Sequence, residues 1–236
     1  MKLKTLVLAV TFIVTGIIYY YLSGKAASSF STQNVVAVID GDTLELDIGQ
    51  RVRLKGINTP ELGMIYSEEA KNFLKKEVLN KSVKLRAYGS DQYGRILAHV
   101  FIDNKNVNKE LVENGLATLY YYEHDEYYSE LKKAEDFARE NKIGIWKPSP
   151  NSDCLELTEL KYKENTERCS NEEVLKIKNN CNKELNITIK DDATHVYKET
   201  ISANSVFTQN YSCIWNDDGD SLYVSDEEGM LMFWRY

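Results

Sequence analysis

In the first third of the chain after residue 30, apolar residues recur at alternate positions or in short runs rich in Val, Ile and Leu. This pattern predicts β-strands over 35–47, 51–57, 82–89 and 96–103, separated by turn sequences such as DIGQ and SDQYGR. Short strands with polar turns and intervening helices are typical of a small β-barrel.

Helical spacing of apolar residues appears in three other stretches. The sequence predicts helices over 66–79, 108–115 and 128–144. Gly115 and Gly144 end the second and third helices, because glycine readily adopts the backbone conformation common at helix C-termini. We expect these helices to pack on the outside of the barrel.

The pattern changes after the last predicted helix. The proline-containing residues 148–153 predict a linker, and residues 154–236 show short apolar strands with Asn, Asp and Gly turns. This second pattern is typical of a β-sandwich. The predicted organisation is therefore an N-terminal segment (1–30), a barrel domain (31–147), the linker and a sandwich domain.

The N-terminal segment combines a basic tip with a long uncharged run. Lys2 and Lys4 precede an apolar stretch without charge from Thr5 to Gly24, which is about as long as a helix needs to cross a bilayer. The length favours an uncleaved membrane anchor, and the two lysines favour a cytoplasmic N-terminus. A signal peptide cleaved near 26–29 is the alternative. In both cases we expect the rest of the chain to be exported.

The formal net charge of −7 is unevenly distributed. Residues 31–148 carry 17 Lys and Arg against 19 Asp and Glu, whereas residues 149–236 carry 9 against 17. The acidic C-terminal part would repel nucleic acid unless it lies apart from any surface that binds phosphate. The nearly neutral barrel part neither supports nor excludes such a surface.

The cysteines all lie in the predicted sandwich, at Cys154, Cys169, Cys181 and Cys213. Four cysteines in an exported domain predict two disulfides, with three possible connectivities. We favour Cys154–Cys169 and Cys181–Cys213, because the first pair closes a short excursion between neighbouring strands and the second links the middle of the sandwich to its late strands. A zinc site is the weaker alternative, since no C-x-x-C spacing is present.

The sequence VIDGDTLELDIGQRVRLKGINTPE gathers polar residues that suit phosphate chemistry. Asp42, Asn58 and the Thr59 carbonyl offer oxygen ligands of the kind calcium accepts. Arg53 offers a guanidinium group that can stabilise negative charge on a phosphate, and Glu61 offers a carboxylate that can orient or deprotonate water. In isolation, D-G-D-T is more simply interpreted as a polar hairpin turn. Together these residues indicate a site for phosphodiester hydrolysis.

Six motifs, in order and spacing, resemble the staphylococcal-nuclease-like (thermonuclease) family: VIDGDTLEL, RVRLKGINTPE, YSEEA, DQYGRILAHVFI, VNKELVENGLA and GIW. The resemblance covers about residues 33–147. It implies a mainly β fold with helices, built on a five-stranded OB-type barrel. It also implies calcium-dependent cleavage of DNA and RNA.

The resemblance further implies roles for individual residues. The family's catalytic positions match Arg53, Glu61 and Arg95. Its calcium ligands match Asp42, Asn58 and the carbonyl of Thr59. Its nucleotide contacts match Tyr93 and Tyr121, where stacking on a base is the expected interaction.

One position departs from the family, which usually has aspartate where this chain has Asn58. Asparagine keeps an oxygen ligand but removes one negative charge, so we expect weaker calcium binding. Because all three catalytic positions are present, the sequence favours an active nuclease. A catalytically weak or inactive OB-fold protein that binds nucleic acid and adheres to a surface is the alternative.

The C-terminal part, about residues 154–236, resembles a lamin-tail-like immunoglobulin sandwich in the segments EEVLKIKNN, LNITIKD and IWNDDGDSLYVSDEEG. We expect this sandwich to be separable from the barrel and to bind a partner that the sequence does not identify. We expect the chain to be monomeric.

Overall fold

The computed structural model describes residues 30–120, 124–162, 173–193, 195–212, 214–215 and 219–236. Tyr121, Cys169 and Cys213 lie outside these ranges, as does the predicted membrane anchor. Across the described ranges, none of the helices combines the length and the apolar character that a membrane crossing requires. The anchor within residues 1–30 therefore stays a prediction.

The barrel is built from five strands: β1 (Ser31–Val38), β2 (Thr43–Leu46), β3 (Arg51–Leu54), β5 (Ser82–Ser90) and β6 (Ile96–Ile102). Antiparallel pairs follow the order β3-β2-β1-β5-β6, and parallel pairing of β3 with β6 closes the circle. Alternate apolar side chains of these strands point inward and form one continuous core with the helices outside. The predicted five-stranded closed barrel is confirmed.

The strand predicted over 35–47 is broken into two, because the D-G-D sequence forms a tight turn. Ile39 N donates to Thr43 O over 2.9 Å across this turn. Gly41 lies at the tip, where a Cβ atom would come within 2.6 Å of Thr59 Oγ1. The break is therefore fixed by a neighbour 18 positions away, which the local pattern of apolar residues does not report.

Three shorter strands complete this half of the described chain: β4 (Ile57–Asn58), β7 (Lys105–Asn106) and β8 (Thr118–Leu119). Strand β7 extends the barrel sheet beside β6. Strands β4 and β8 form a separate antiparallel ladder, in which Asn58 pairs with Thr118. This ladder holds the segment that leads from β3 into the Thr-Pro-Glu turn.

The helices of the described barrel half are α1 (Ser67–Val78), α2 (Val107–Glu113) and α3 (Tyr128–Glu140). Each buries one apolar face on the barrel; in α1 the face is Ala70, Leu74 and Val78, which are fully buried. Helix α3 ends before the predicted residue 144, because Lys142 adopts a positive φ of 56° that a helix does not continue through.

The C-terminal strands are β9 (Leu155–Lys161), β10 (Glu173–Asn179), β11 (Leu185–Lys190), β12 (Val196–Ile201), β13 (Val206–Tyr211), β14 (Ser221–Ser225) and β15 (Met230–Arg235). They form two antiparallel sheets, in the orders β13-β10-β9 and β12-β11-β14-β15. Apolar side chains from both sheets share one buried cluster. This layout is that of the predicted sandwich.

The stretch predicted as a linker is hydrogen-bonded to the sandwich rather than free. Met230 N donates to Lys147 O, and Ser149 N donates to Met230 O, each over 2.8 Å. Trp146 and Tyr223 are buried in an apolar cluster that joins the end of the barrel half to β14 and β15. These contacts argue against the expectation that the sandwich is separable from the barrel.

The disulfide connectivity differs from the one favoured above. Cys154 is bonded to Cys181, with a Cα–Cα distance of 5.2 Å. The register of β9 and β10 explains this pair, because Leu155 at the start of β9 lies opposite Asn179 at the end of β10. The predicted Cys154–Cys169 and Cys181–Cys213 links are therefore wrong; of the four residues, Cys169 and Cys213 lie outside the described ranges.

Candidate functional site

The turn between β1 and β2 buries Asp42 against the segment that follows β4. Only 6% of Asp42 is exposed. Its Oδ2 accepts hydrogen bonds from the amide (3.0 Å) and the hydroxyl (2.9 Å) of Thr59, and its Oδ1 accepts one from Thr43 Oγ1 (3.3 Å). Two of the predicted metal ligands, Asp42 and Thr59, are thus in direct contact.

Arg53 extends from β3 to the same place, and acceptors within the protein surround its guanidinium group. Nη1 donates to the carbonyls of Leu54 (2.7 Å) and Ile57 (2.9 Å). Nη2 donates to Asn58 Oδ1 (2.9 Å) and lies 3.1 Å from Asp42 Oδ2. Arg53 is therefore a fixed group beside Asp42, and its orientation does not depend on solvent.

Asn58 joins the site to the C-terminal sandwich. Its side chain lies at the end of β4, and the residue is 4% exposed. While Oδ1 accepts from Arg53, Nδ2 donates to the carbonyls of Asp192 (3.2 Å) and Ala193 (2.7 Å). Both ends of this amide are therefore occupied by protein groups.

Glu61 lies on the exposed turn after Pro60, and its carbonyl accepts from Met64 N over 2.9 Å. Lys190, at the end of β11, is close enough to interact with the Glu61 charge. Burial lowers the pKa of Lys190, although attraction to Glu61 and to the acidic residues near β11 opposes this shift. The exposed carboxylate is thus open to solvent, with a buried cation of the sandwich nearby.

Arg95 reaches the site from the turn between β5 and β6. Its Nε donates to Asp91 Oδ2 (2.7 Å), and its Nη1 approaches Thr43 Oγ1 (3.5 Å). Burial alone would raise the pKa of Asp91, but hydrogen bonds from the Arg95 backbone and guanidinium and from Tyr93 N outweigh it and lower that pKa. The Tyr93 ring is 74% exposed and lies 5.4 Å from the Arg95 guanidinium. An exposed ring beside a fixed arginine is a suitable surface for stacking a base.

Asp40 also belongs to this region, although the sequence analysis gave it no role. Its Oδ1 accepts a hydrogen bond from Asp42 N over 3.0 Å. The pKa of Asp40 is raised because neighbouring protein removes water from the carboxylate and because Asp42 repels its charge. Two acidic groups that repel each other in this way favour a cation between or beside them. In the sequence, the first aspartate of the D-G-D motif is the signal that could have identified Asp40.

A hard cation fits some of these groups better than others. Asp40, Asp42 and Thr59 supply carboxylate, hydroxyl and carbonyl oxygens, which is the donor chemistry of calcium. Asn58 fits less well than predicted, because its oxygen already accepts from Arg53 and its nitrogen faces two carbonyls. Over the described residues, no group of three or more His, Cys, Asp or Glu side chains is gathered as metal ligands. The oxygen donors of Asp40, Asp42 and Thr59 are thus suitable in kind.

Two further polar residues link strand β8, the partner of β4, to the sandwich. Glu135 of α3 is fully buried; its Oε1 accepts from Leu119 N in β8 over 2.9 Å. Its carboxylate also pairs with Arg235 from β15. These residues are far apart in the sequence and match none of the motifs, so sequence reasoning had no signal for them.

Comparison with known proteins gives a consistent result. Residues 51–148 match the family described as Staphylococcal nuclease homologue. A thermonuclease of Staphylococcus intermedius is 32% identical over 164 residues, which is 61% of this chain and 98% of that protein. An uncharacterized endonuclease of Haemophilus influenzae is 37% identical over 49% of this chain and 66% of that protein. An uncharacterized endonuclease of Escherichia coli is 35% identical over 48% of this chain and 74% of that protein.

The matched stretch contains Arg53 of β3, the Thr-Pro-Glu turn and the turn of Tyr93 and Arg95. The fold, the site and a relative covered over almost its whole length agree, and the chain belongs to the staphylococcal nuclease family.

Proposed function

We propose that this chain is a nuclease that hydrolyses phosphodiester bonds of DNA and RNA. The observation that carries the proposal is the meeting of two arginines at one turn. Arg53 lies 3.1 Å from Asp42 Oδ2, and Arg95 lies 3.5 Å from the adjacent Thr43 Oγ1. Two guanidinium groups converging on an acidic turn, with Glu61 exposed nearby, suit the binding and cleavage of a phosphate.

In the proposed reaction a water oxygen attacks the phosphorus atom. Glu61 accepts the proton that this water loses, the new P–O bond forms, and the bond to the leaving sugar oxygen breaks. Negative charge grows on the phosphate oxygens, and Arg53 and Arg95 stabilise it by donating hydrogen bonds. The leaving oxygen takes a proton from solvent or from a nearby donor. Tyr93 and Tyr121 are the proposed stacking surfaces for the bases.

Calcium is the cofactor we propose, held by Asp42 and Thr59 with Asp40 beside them. When bound, it would supply positive charge that stabilises the phosphate oxygens during attack. Asn58 was predicted as a third ligand from the family pattern; in that role its oxygen has to be released from Arg53. Little sequence preference is proposed, because the groups at the site suit phosphate and stacking contacts rather than the reading of base edges.

We also propose that the protein is exported and stays attached to the cell membrane through a helix within residues 1–30. The uncharged run after Lys4 supports attachment, and the Cys154–Cys181 disulfide supports an oxidising location. Release after signal cleavage is the alternative. The lamin-tail-like character of the sandwich, its unidentified partner and a monomeric state remain proposals.

A plasmid-degradation assay on the full chain tests the catalytic proposal. We expect cleavage with calcium, loss of cleavage with a chelator, and a rate lower by about 10²- to 10⁴-fold in Glu61→Gln because general-base catalysis is removed. Glu69→Gln, an exposed acid on α1, is the matched control and should behave as the wild type. Cleavage by Glu61→Gln at the wild-type rate would exclude this site.

A catalytically weak nucleic-acid-binding and adhesion protein is the second candidate. One observation favours it: Arg53 already donates to Leu54 O, Ile57 O and Asn58 Oδ1, so an incoming phosphate has to compete with protein acceptors. In that case the wild type would retain an oligonucleotide in a binding assay without degrading it, with or without calcium.

A further inference from the structure

Every polar atom of the Asn58 side chain contacts another part of the protein. Oδ1 accepts from Arg53 Nη2 (2.9 Å), and Nδ2 donates to Asp192 O (3.2 Å) and Ala193 O (2.7 Å). With 4% of the residue exposed, water has little access to these groups. A proposed catalytic residue of the barrel is thus linked through one amide to a turn of the sandwich.

This network allows only one orientation of the amide. If oxygen and nitrogen were exchanged, the NH₂ group would face the Arg53 guanidinium, and the oxygen would face the carbonyls of Asp192 and Ala193. Both contacts would then join like to like, donor to donor and acceptor to acceptor. Aspartate at position 58 would meet the same problem, since it has no hydrogen to donate to the two carbonyls.

Residues 191–193 form the sandwich turn, and side chains of their own domain hold it in place. Lys190 Nζ donates to Ala193 O over 2.7 Å. The Asp192 carboxylate accepts from Tyr223 Oη (2.7 Å) and Ser221 Oγ (3.1 Å). The carbonyls that meet Asn58 therefore belong to a braced turn and not to a loosely attached loop.

We infer that Asn58 is a positioning residue through which the sandwich turn 191–193 holds Arg53 in its catalytic orientation. The inference rests on the proposed nuclease function of the same site. The inference explains why asparagine suits this position. The side chain there has to accept from an arginine and donate to two carbonyls, and aspartate cannot do both.

The inference also changes what is expected of Asn58→Asp. A second carboxylate adds negative charge for calcium, but it lies against two carbonyl oxygens and loses the link to the sandwich. We therefore expect this variant to have lower activity than the wild type at saturating calcium, even if it binds calcium more tightly. The calcium-binding and catalytic effects would then have opposite signs.

The test measures kcat and KM of the full chain on a single-stranded DNA oligonucleotide with calcium. Asp192→Ala removes the acceptor for Tyr223 and Ser221, and we expect kcat to fall about 10-fold or more while KM stays within about twofold, because positioning acts on the transition state. Tyr223→Phe is the milder variant, with a smaller loss in the same direction. Tyr211→Phe is the matched control, because that buried sandwich hydroxyl has no hydrogen-bond partner among the residues that the structure describes.

A double-mutant cycle separates positioning from general damage to the fold. In the Asn58→Ala background the link is already cut, so Asp192→Ala should cause little further loss of kcat. The inference is wrong if the wild type cleaves DNA but the kcat values of Asp192→Ala and Tyr223→Phe equal that of Tyr211→Phe. Fully additive losses of Asn58→Ala and Asp192→Ala would also overturn it.

A second readout does not depend on activity. The Thr59 amide donates to Asp42 next to Asn58, so release of Asn58 should speed its hydrogen exchange in Asp192→Ala but not in Tyr211→Phe. If the wild type shows no hydrolysis, the proposed function fails and this exchange measurement alone decides the coupling. Equal exchange in the two variants would then overturn it.

Discussion

The two arginines of the site are held in different ways. Arg95 is fixed within its own turn by Asp91, four positions before it, whose carboxylate also accepts from the backbone of that turn. Arg53 is held within the barrel by Asp42 and by the carbonyls of Leu54 and Ile57. It also donates to Asn58, whose amide donates in turn to carbonyls 134 and 135 positions further along the chain. One half of the site is therefore held locally, and the other half is also linked to a second domain.

This difference has consequences for stability and for catalysis. A local turn keeps its geometry as long as its few residues are present, whereas a contact between domains requires both domains to be folded and docked. The barrel alone therefore does not contain everything that orients Arg53. Perturbations of the sandwich should affect the Arg53 side of the site and leave the Arg95 side intact.

The largest expected effects come from the arginines themselves. Arg53→Lys and Arg95→Lys should each lower kcat by about 10²- to 10³-fold, because lysine cannot reproduce the two-pronged hydrogen bonding of guanidinium in the transition state. Single-turnover rates on an oligonucleotide at saturating calcium check this. Arg51→Lys on the same strand, whose side chain is 57% exposed, is the control and should keep wild-type rates. A loss confined to one of the two arginines would mean that they do not share one phosphate.

Loss of the ion pair between Glu135 in the barrel half and Arg235 in the sandwich should give the largest decrease in unfolding free energy. Arg235→Met leaves the fully buried Glu135 carboxylate without its cation, and breaking such a pair costs about 3–5 kcal/mol of unfolding free energy. Urea unfolding compares this variant with Arg51→Met, which breaks an exposed pair worth about 0–1 kcal/mol. Equal midpoints for the two variants would show that the pair does not couple the domains.

The disulfide is expected to contribute to the stability of the sandwich. Replacing Cys154 and Cys181 together by serine should lower the unfolding free energy by about 2–4 kcal/mol, mainly by freeing the unfolded chain. Denaturation of the sandwich, followed by its tryptophan fluorescence, measures the loss. Mass spectrometry of the unreduced protein checks the bond itself, and recovery of a Cys154–Cys169 link would contradict the structure.

The local half of the site should respond more weakly. Asp91→Ala removes the acceptor that positions Arg95 Nε, and we expect kcat to fall about fivefold, since a hydrogen bond to a charged group is worth about 1 kcal/mol or more. Steady-state kinetics give this value. Hydrogen exchange of the Thr59 amide should not change, because Arg53 is held independently; a faster exchange would show that the two halves are coupled.

The smallest expected effect is on the pH dependence of stability. It involves Asp226, which accepts hydrogen bonds from Ser149 and Asn151 between the two domains. Burial alone raises the pKa of Asp226, but hydrogen bonds from Asn151, Ser149 and the backbone outweigh it and lower that pKa. A carboxyl with a lowered folded-state pKa stabilises the protein above its unfolded value of about 3.9 and loses this contribution as pH falls below it. Asp226→Asn should therefore lower the melting temperature at pH 7, and the difference should shrink towards pH 3. A constant Asp226→Asn difference at all pH values would contradict the assignment.

The sequence by itself determined most elements of the barrel. The period of the apolar residues located its helices, and glycine and polar turns located the boundaries within a few positions. The turns that carry Glu61 and Tyr93–Arg95 were also predicted, because their geometry is fixed by neighbours within four positions. The family resemblance added roles that the local pattern could not assign.

Only the tertiary structure decided how distant parts meet. The pairing of Cys154 with Cys181 follows from strand register, and the engagement of Asn58 follows from the docking of the sandwich on the barrel. The burial of Glu135 beside Arg235 joins residues 100 positions apart. Such contacts depend on the register, packing and closure of whole sheets, and the local pattern of apolar and polar residues is the same whether they form or not.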